Sequence, residues 1–253
     1  VSYGAHTAVA FGLRVAILTS TAPDEPLLRD LPPQAAVVSI PAEHTTTFDN
    51  RYDGNSRTQY MYHRALTLLP DMLPPAWREA RLIHLAPIAY EVDPSFATTF
   101  GDHPICVTPQ GWMRRREDDG RVTAIPWETA GQVLPHARLT VMSEEDIRHD
   151  PGLESVFAGM APLMALTRAE RGGTLYRSGQ PANYSAYPVT LIDPTGAGDV
   201  FATALHIALD RLGDLDRAIK VATYLAAGSV TRIGFDSAPK PEDVARAWEL
   251  VAP

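Results

Sequence analysis

The segment Leu191-Ile192-Asp193-Pro194-Thr195-Gly196-Ala197-Gly198-Asp199-Val200-Phe201 carries the residues of this chain best suited to chemistry. Its apolar start reads as a strand, its middle as a glycine-rich turn, and its end as a helix entered at an acidic residue. Gly196 and Gly198 permit backbone conformations closed to other residues, so successive amides can converge on one point at the helix N-terminus. Such a point attracts anions, because unpaired N–H groups and the positive end of the helix dipole meet there. Asp199, in the same first turn, is stabilised as a carboxylate by that dipole and can accept a proton from an alcohol. An anion cradle beside a base suits phosphoryl transfer to a hydroxyl. A purely structural turn is the plainer alternative. The coincidence of a strand, two spaced glycines, Thr195 and a first-turn Asp199 favours chemistry.

The elements that position these groups follow from periodicity. After Asp199, apolar residues Val200, Phe201, Ala204, Leu205, Ala208 and Leu209 form one helical face, which Arg211 and Gly213 close. Upstream, short apolar runs at Val15–Leu18, Ala36–Ile40, Leu82–Leu85, Ile105–Thr108, Leu139–Met142, Leu163–Leu166 and Val189–Ile192 alternate with helical stretches. Continuous apolar strands of this kind predict a parallel sheet covered by helices on both faces. Residues 44–65 break the rhythm: two alternating Thr- and aromatic-rich runs flank Asp53-Gly54-Asn55, a pattern that predicts a β-hairpin. Ser143-Glu144-Glu145-Asp146 follows a strand and fits two roles, an N-cap with acids in the first turn or a carboxylate site for a metal. Pro109-Gln110-Gly111 follows another strand end, where Gln110 can hydrogen-bond a polyol at the carboxyl edge of the sheet and Arg114 can meet a phosphate, or the segment can serve as a plain turn.

The run Asp193 to Phe201, D-P-T-G-A-G-D-V-F, resembles the C-terminal signature of the ribokinase-like (PfkB) carbohydrate kinases. The resemblance implies an α/β three-layer sandwich with a mostly parallel central sheet and a small β lid. It makes Asp199 the catalytic base, also in contact with the acceptor hydroxyl, and Gly196, Ala197 and Gly198 the anion hole. Leu166 to Gly173 is similar to the family's nucleotide-side turn, T-x-G-x-x-G, with Ala169 in the first glycine slot; Thr167 and Gly172 are the implied donor contacts. Thr223 to Gly234 is similar to the small-residue helix beside the adenine, which implies roles for Thr223 and Ala227, although Thr223 stands where the family often has Asn. Ser143 and Asp146 replace the Asn and Glu of the family's N-x-x-E, so Asp146, helped by Glu145, is expected to hold the water shell of Mg²⁺. Residues 44–65 would be the lid, small enough that closure calls for a second subunit in a homodimer. Tyr3 to Gly12 resembles the helix after the family's sugar-binding Gly-Gly, with Tyr3 in an Asn position; Tyr3, Gln59 and Gln110 are the expected substrate contacts. That Gly-Gly is absent and the chain starts at Val1, so an incomplete N-terminus is expected.

The resemblance thus implies an ATP- and Mg²⁺-dependent kinase acting on a hydroxyl of a sugar, polyol or cyclitol. A nucleoside acceptor and a kinase-like binding or scaffold protein without catalysis are the alternatives; the departures at Tyr3, Ser143, Asp146, Ala169 and Thr223 favour the second of these. A chain of 253 residues with 45% apolar content suits a single α/β kinase domain, 1–253. Cys106 is alone, which excludes an intrachain disulfide and fits a reducing, cytoplasmic setting. The net charge of −8 argues against nucleic acid as the main partner, and no apolar run has membrane-spanning length. Arg114-Arg115-Arg116 runs straight into Glu117-Asp118-Asp119 and Gly120, which reads as a solvated hairpin tip. No G-x-x-x-x-G-K-[ST] loop, complete dinucleotide fingerprint, G-x-S-x-G elbow or metal-spaced His/Cys set is present.

Overall fold

The computed structural model describes residues 1–53 and 56–252. In chain order the elements are α1 (Ser2–Ala10), β1 (Ala16–Thr21), β2 (Ala36–Pro41), β3 (Thr47–Asp53), β4 (Ser56–His63), β5 (Ile83–Leu85), β6 (Ile105–Val107), β7 (Arg114–Arg116) and β8 (Val122–Ala124). There follow α2 (Ala130–Val133), β9 (Leu139–Ser143), α3 (Glu144–Ile147), α4 (Leu153–Met160), β10 (Leu163–Thr167), β11 (Gly173–Arg177), β12 (Gln180–Tyr184), α5 (Ala197–Leu212), α6 (Leu215–Ser229) and α7 (Pro241–Glu249), with short 3-10 turns between.

A six-stranded sheet runs β12-β11-β10-β9-β6-β5, with β5, β6, β9 and β10 mutually parallel and β11 and β12 antiparallel at one edge. Side chains alternate across it, as a strand period of two requires. Cys106, Leu139, Val141, Leu163 and Ala165 enter a core shared with α5, α6 and α7. Ile105, Val107, Met142, Met164 and Leu166 enter a second core with Phe96, Trp112, Val133 and Phe157, contributed by α2, α4 and the short turns. Both faces of the parallel strands are therefore buried, which accounts for their mostly apolar sequences and gives the expected three layers.

Three departures matter. Val189–Ile192 is no strand: Val189, Leu191 and Ile192 are exposed, and the amides of Ile192 and Asp193 both donate to the carbonyl of Val230. The sheet edge is supplied instead by the hairpin β11–β12, which the apolar pattern did not announce. β1 and β2 form their own parallel pair, separate from the six-stranded sheet.

The expected hairpin at 44–65 is the antiparallel pair β3–β4; its tip at Gly54 and Asn55 lies outside the described residues. A second hairpin, β7–β8, contains the Arg114–Arg116 run and docks on the first. Met61 N–H donates to the Gly120 carbonyl at 2.8 Å, and Arg116 Nε donates to the Met61 carbonyl at 2.7 Å. The basic run thus extends the β3–β4 layer as well as turning in solvent. Arg64 ties that layer to the loop after β5 through the carbonyls of Ala89 and Tyr90, at 2.7 and 2.5 Å.

Candidate active site

At the carboxyl edge of the sheet, the ends of four parallel strands and the N-terminus of α5 enclose a cavity of about 140 Å³. Ala86, Pro87 and Ile88 follow β5, Thr108 and Gln110 follow β6, Met142 and Ser143 end β9, and Thr167 ends β10. Gly198 and Asp199 face them from α5, and Val1 stands at the mouth with its backbone nitrogen 3.6 Å from Asp199 Oδ2.

The turn into α5 is built on one strained residue. Gly196, the N-cap, has φ +83° and ψ −6°, and a Cβ there would come within 2.3 to 2.5 Å of three ring atoms of Tyr3. Both the left-handed backbone and the close approach require glycine. Asp193 staples the turn from below: its Oδ1 accepts the Thr195 amide at 2.9 Å and its Oδ2 the Gly234 amide at 3.2 Å. Hydrogen bonds from Thr195, then from Gly234, hold the Asp193 carboxyl below the usual carboxylate range.

Gly198 is different. Its φ is not positive and a Cβ would meet nothing within 4 Å, so its lack of a side chain leaves open space where the cavity meets the helix end. The Ala197 amide donates to the Pro194 carbonyl at 3.2 Å, so Ala197 shapes the turn and does not supply a free anion donor. The amides of Gly198 and Asp199 occupy the next two first-turn positions, whose N–H groups have no intrahelical acceptor. Sixteen residues of α5 stand behind them and add the positive end of a long helix. The Asp199 side chain, 31% exposed, projects at this same end into the cavity.

Asp146 sits across the cavity from Asp199. Its Oδ2 accepts the Ser143 amide at 2.9 Å while the Ser143 hydroxyl accepts the Glu145 amide at 3.1 Å, a reciprocal capping box. Its Oδ1 accepts Gln110 Nε2 at 3.0 Å. The capping role and the cavity role thus coexist in one carboxylate. Among the described residues no group of three or more His, Cys, Asp or Glu could hold a metal directly. Two carboxylates with oxygen donors around them suit a largely hydrated Mg²⁺, which keeps several waters.

Residues 140–242 match the sequence model of the pfkB family carbohydrate kinases. That match covers the C-terminal part of the chain, from β9 through the turn into α5 to the start of α7. A fructokinase of Klebsiella pneumoniae is 27% identical over 176 residues, 64% of this chain and 56% of the relative. A bifunctional protein HldE of Bradyrhizobium diazoefficiens is 39% identical over 70 residues, 27% of this chain and 14% of the relative. The chain therefore spans little more than half the length of the fructokinase and a small part of HldE. Among solved structures, the sulfate complex of a pyrophosphate-dependent kinase in the ribokinase family superposes with a TM-score of 0.81 at 19% identity, covering 96% of this chain and 89% of that one. Ribokinase from Thermotoga maritima gives 0.75 at 17% identity over 98% and 86%. These likenesses establish the ribokinase fold.

The cavity brings together Gln110, Asp146, Thr167, Gly198 and Asp199 from the expected set. Other expected contacts lie elsewhere. Tyr3 is packed on Gly196 and on Phe235, ring centroids 5.1 Å apart, so it buttresses the anion turn and does not line the cavity. Burial, and then the nearby Asp193 carboxylate, raise its phenol above the usual range. Gln59 is held within the β3–β4 pair by Asn50, its Nε2 2.9 Å from Asn50 Oδ1. Gly172 is buried with φ +82° against the backbone of Tyr184 to Ala186, which makes it a packing glycine. Thr223 is 7% exposed and its hydroxyl donates back to the Ile219 carbonyl at 2.7 Å, so it turns away from any ligand; Ala227, one turn on, is only half-buried. Glu145 is exposed and outside the cavity lining.

The sequence reading passed over Ala86 to Ile88, Thr108 and His84. The rule that α/β sites gather at the carboxyl ends of parallel strands, which marks Gln110 after β6, marks the loop after β5 as well.

Proposed function

We propose that this chain is a phosphotransferase that moves the terminal phosphoryl group of ATP to a hydroxyl of a sugar or polyol. The observation that carries this is the placement of Asp199 beside the Gly198 and Asp199 amides at the N-terminus of α5, inside one cavity. The carboxylate accepts the proton of the acceptor hydroxyl as that oxygen bonds to phosphorus and the bond to the nucleoside diphosphate breaks. The amides meet the charge that gathers on the transferring group, in positions already fixed by the Gly196 turn. Mg²⁺, when bound, supplies neutralising charge at the donor phosphates, and Asp146 with Gln110 is the pair that would hold its water shell. The sugar and polyol class follows from the relatives, a fructokinase and a ribokinase-family kinase complexed with myo-inositol.

One observation favours pyrophosphate as a second donor. Thr223 spends its hydroxyl inside α6 and so offers no hydrogen bond to an adenine, and the kinase of highest structural similarity quoted above is pyrophosphate-dependent.

The test uses ATP and pyrophosphate in parallel with a panel of fructose, ribose and myo-inositol. Asp199→Asn keeps the shape of the helix start and removes the proton acceptor, so kcat should fall by about a hundredfold to ten-thousandfold with donor binding retained. Turnover of Asp199→Asn at the wild-type rate would refute the mechanism. A wild-type protein that uses pyrophosphate and ignores ATP would settle the donor.

A further inference from the structure

His84, in the middle of β5, is a titratable side chain that the reaction above leaves unused. Its flanking residues Ile83 and Leu85 enter the core on the far face of the sheet, so His84 turns toward α5. Its Nε2 lies 3.2 Å from Thr108 Oγ1, and Thr108 lines the cavity. Its Nδ1 lies 3.4 Å from Thr203 Oγ1, and Thr203 is one helical turn after Asp199 on the same helix. α1 closes the junction: a Cβ at Gly4 would meet Thr203 Oγ1 at 2.9 Å and His84 Nδ1 at 3.9 Å. One ring therefore bridges the strand-end residue that faces the acceptor space to the helix that carries the base.

Residues at i and i+4 lie one above the other on a helix, so a tether at Thr203 fixes the rotation and height of Asp199 about the helix axis. Burial pushes the His84 imidazole down to about 4, with Asp199 opposing the shift. The ring is thus neutral at working pH and offers one donor and one acceptor, which matches two hydroxyls that can each do either. A neutral strut holds the carboxylate without withdrawing its charge.

We propose that His84 is a positioning residue for Asp199, acting through Thr203 on α5 and anchored by Thr108 at the cavity wall. The proposal rests on the assignment of Asp199 as the base. A misplaced base costs turnover more than binding, because the near-attack geometry is what the strut maintains.

The test compares variants of the full chain with the donor and acceptor identified above. His84→Phe keeps a planar ring and loses both nitrogens; kcat should fall about tenfold with donor and acceptor KM unchanged. Thr203→Val, which removes the hydroxyl at nearly constant shape, should lower kcat by a similar factor and should add nothing to His84→Phe, the mark of one shared interaction. His84→Asn places an amide nitrogen or oxygen near the Nδ1 position and should restore most of the loss, whereas a structural role confined to ring packing predicts no such rescue. Wild-type kcat in His84→Phe, additive losses in the double variant, or a loss confined to KM would each overturn the proposal. If His84→Phe fails to fold, Thr203→Val with and without His84→Asn carries the same comparison. Asp199→Asn in the same assay separates the two levels: an inactive Asp199→Asn beside a fully active His84→Phe refutes the strut alone, and an active Asp199→Asn refutes the base itself.

Discussion

Gly196→Ala is the most informative perturbation of the fold around the site, because two separate costs fall on a single methyl group. The first is local. An alanine at φ +83° and ψ −6° occupies the left-handed region, at about 1–2 kcal/mol. The second is a contact: the new Cβ would sit 2.3 to 2.5 Å from Cγ, Cδ1 and Cδ2 of Tyr3, so the ring has to leave. Displacing it sacrifices the Tyr3–Phe235 pair, about 0.5–1.5 kcal/mol, and strains the packing of α1, for which overpacking costs of about 1–3 kcal/mol are typical. Together these give a loss of about 2.5–6.5 kcal/mol, which for a chain of this size lowers Tm by roughly 5–25 °C. The two costs separate in a cycle with Tyr3→Ala. Removing the ring first leaves only the backbone cost of about 1–2 kcal/mol, so Gly196→Ala should cost about 1.5–4.5 kcal/mol less in the Tyr3→Ala background, read by urea or thermal unfolding. An equal cost in both backgrounds, or a cost below about 0.5 kcal/mol in the wild type, would refute the packing of Tyr3 on the turn.

Asp146→Asn keeps the side-chain shape and an acceptor for the Ser143 amide but removes the charge, so the Mg²⁺ concentration for half-maximal rate should rise severalfold while Tm changes little; an unaltered Mg²⁺ profile would leave Asp146 as a helix cap alone. His206, 3% exposed on α5, places both ring nitrogens near the carbonyls of Pro104 and Ile83 without completing a hydrogen bond, and burial, then His84 and Arg138, depress its pKa to about 3. The folded pKa lies below the unfolded value, so the unfolded chain gains the proton first and stability falls as pH drops below about 6.5. Between pH 7 and 5 this one group should cost about 2 kcal/mol. His206→Leu should flatten that pH slope in urea unfolding, and an unchanged slope would contradict the burial of a neutral imidazole.

The parallel strands were legible because the sheet buries both of their faces, so β6, β9 and β10 are mostly apolar on both sides, with Thr140 the one polar residue within β9's apolar stretch. The same logic misplaced Val189–Ile192. An apolar run says that residues avoid water somewhere, and Leu191 and Ile192, at 62% and 56% exposure, show that avoidance need not be met within the described chain. β12 gave no apolar signal: Gln180, Pro181 and Asn183 are exposed, as an edge strand paired only with β11 tolerates.

Legibility at the site divides along the same physical line. Asp199 and Gly198 could be named from spacing because their placement at the helix N-terminus is set by their own turn, a local property. Tyr3, Thr223 and His84 could not, because each is defined by what it touches. Tyr3 meets Gly196 across nearly the whole chain; Thr223 turns its hydroxyl into its own helix instead of outward; His84 acquires two hydroxyl partners from β6's end and from α5 only once the sheet and helix have packed. A residue type fixes the chemistry a group can perform, and the contacts decide whether it performs it. Tyr3 shows the consequence most sharply: standing where a substrate-binding side chain was expected, it has become the wall against which Gly196 is pressed. The Gly196 turn therefore depends on α1 for its shape, and a substitution far from Asp199 in sequence can move the amides beside it.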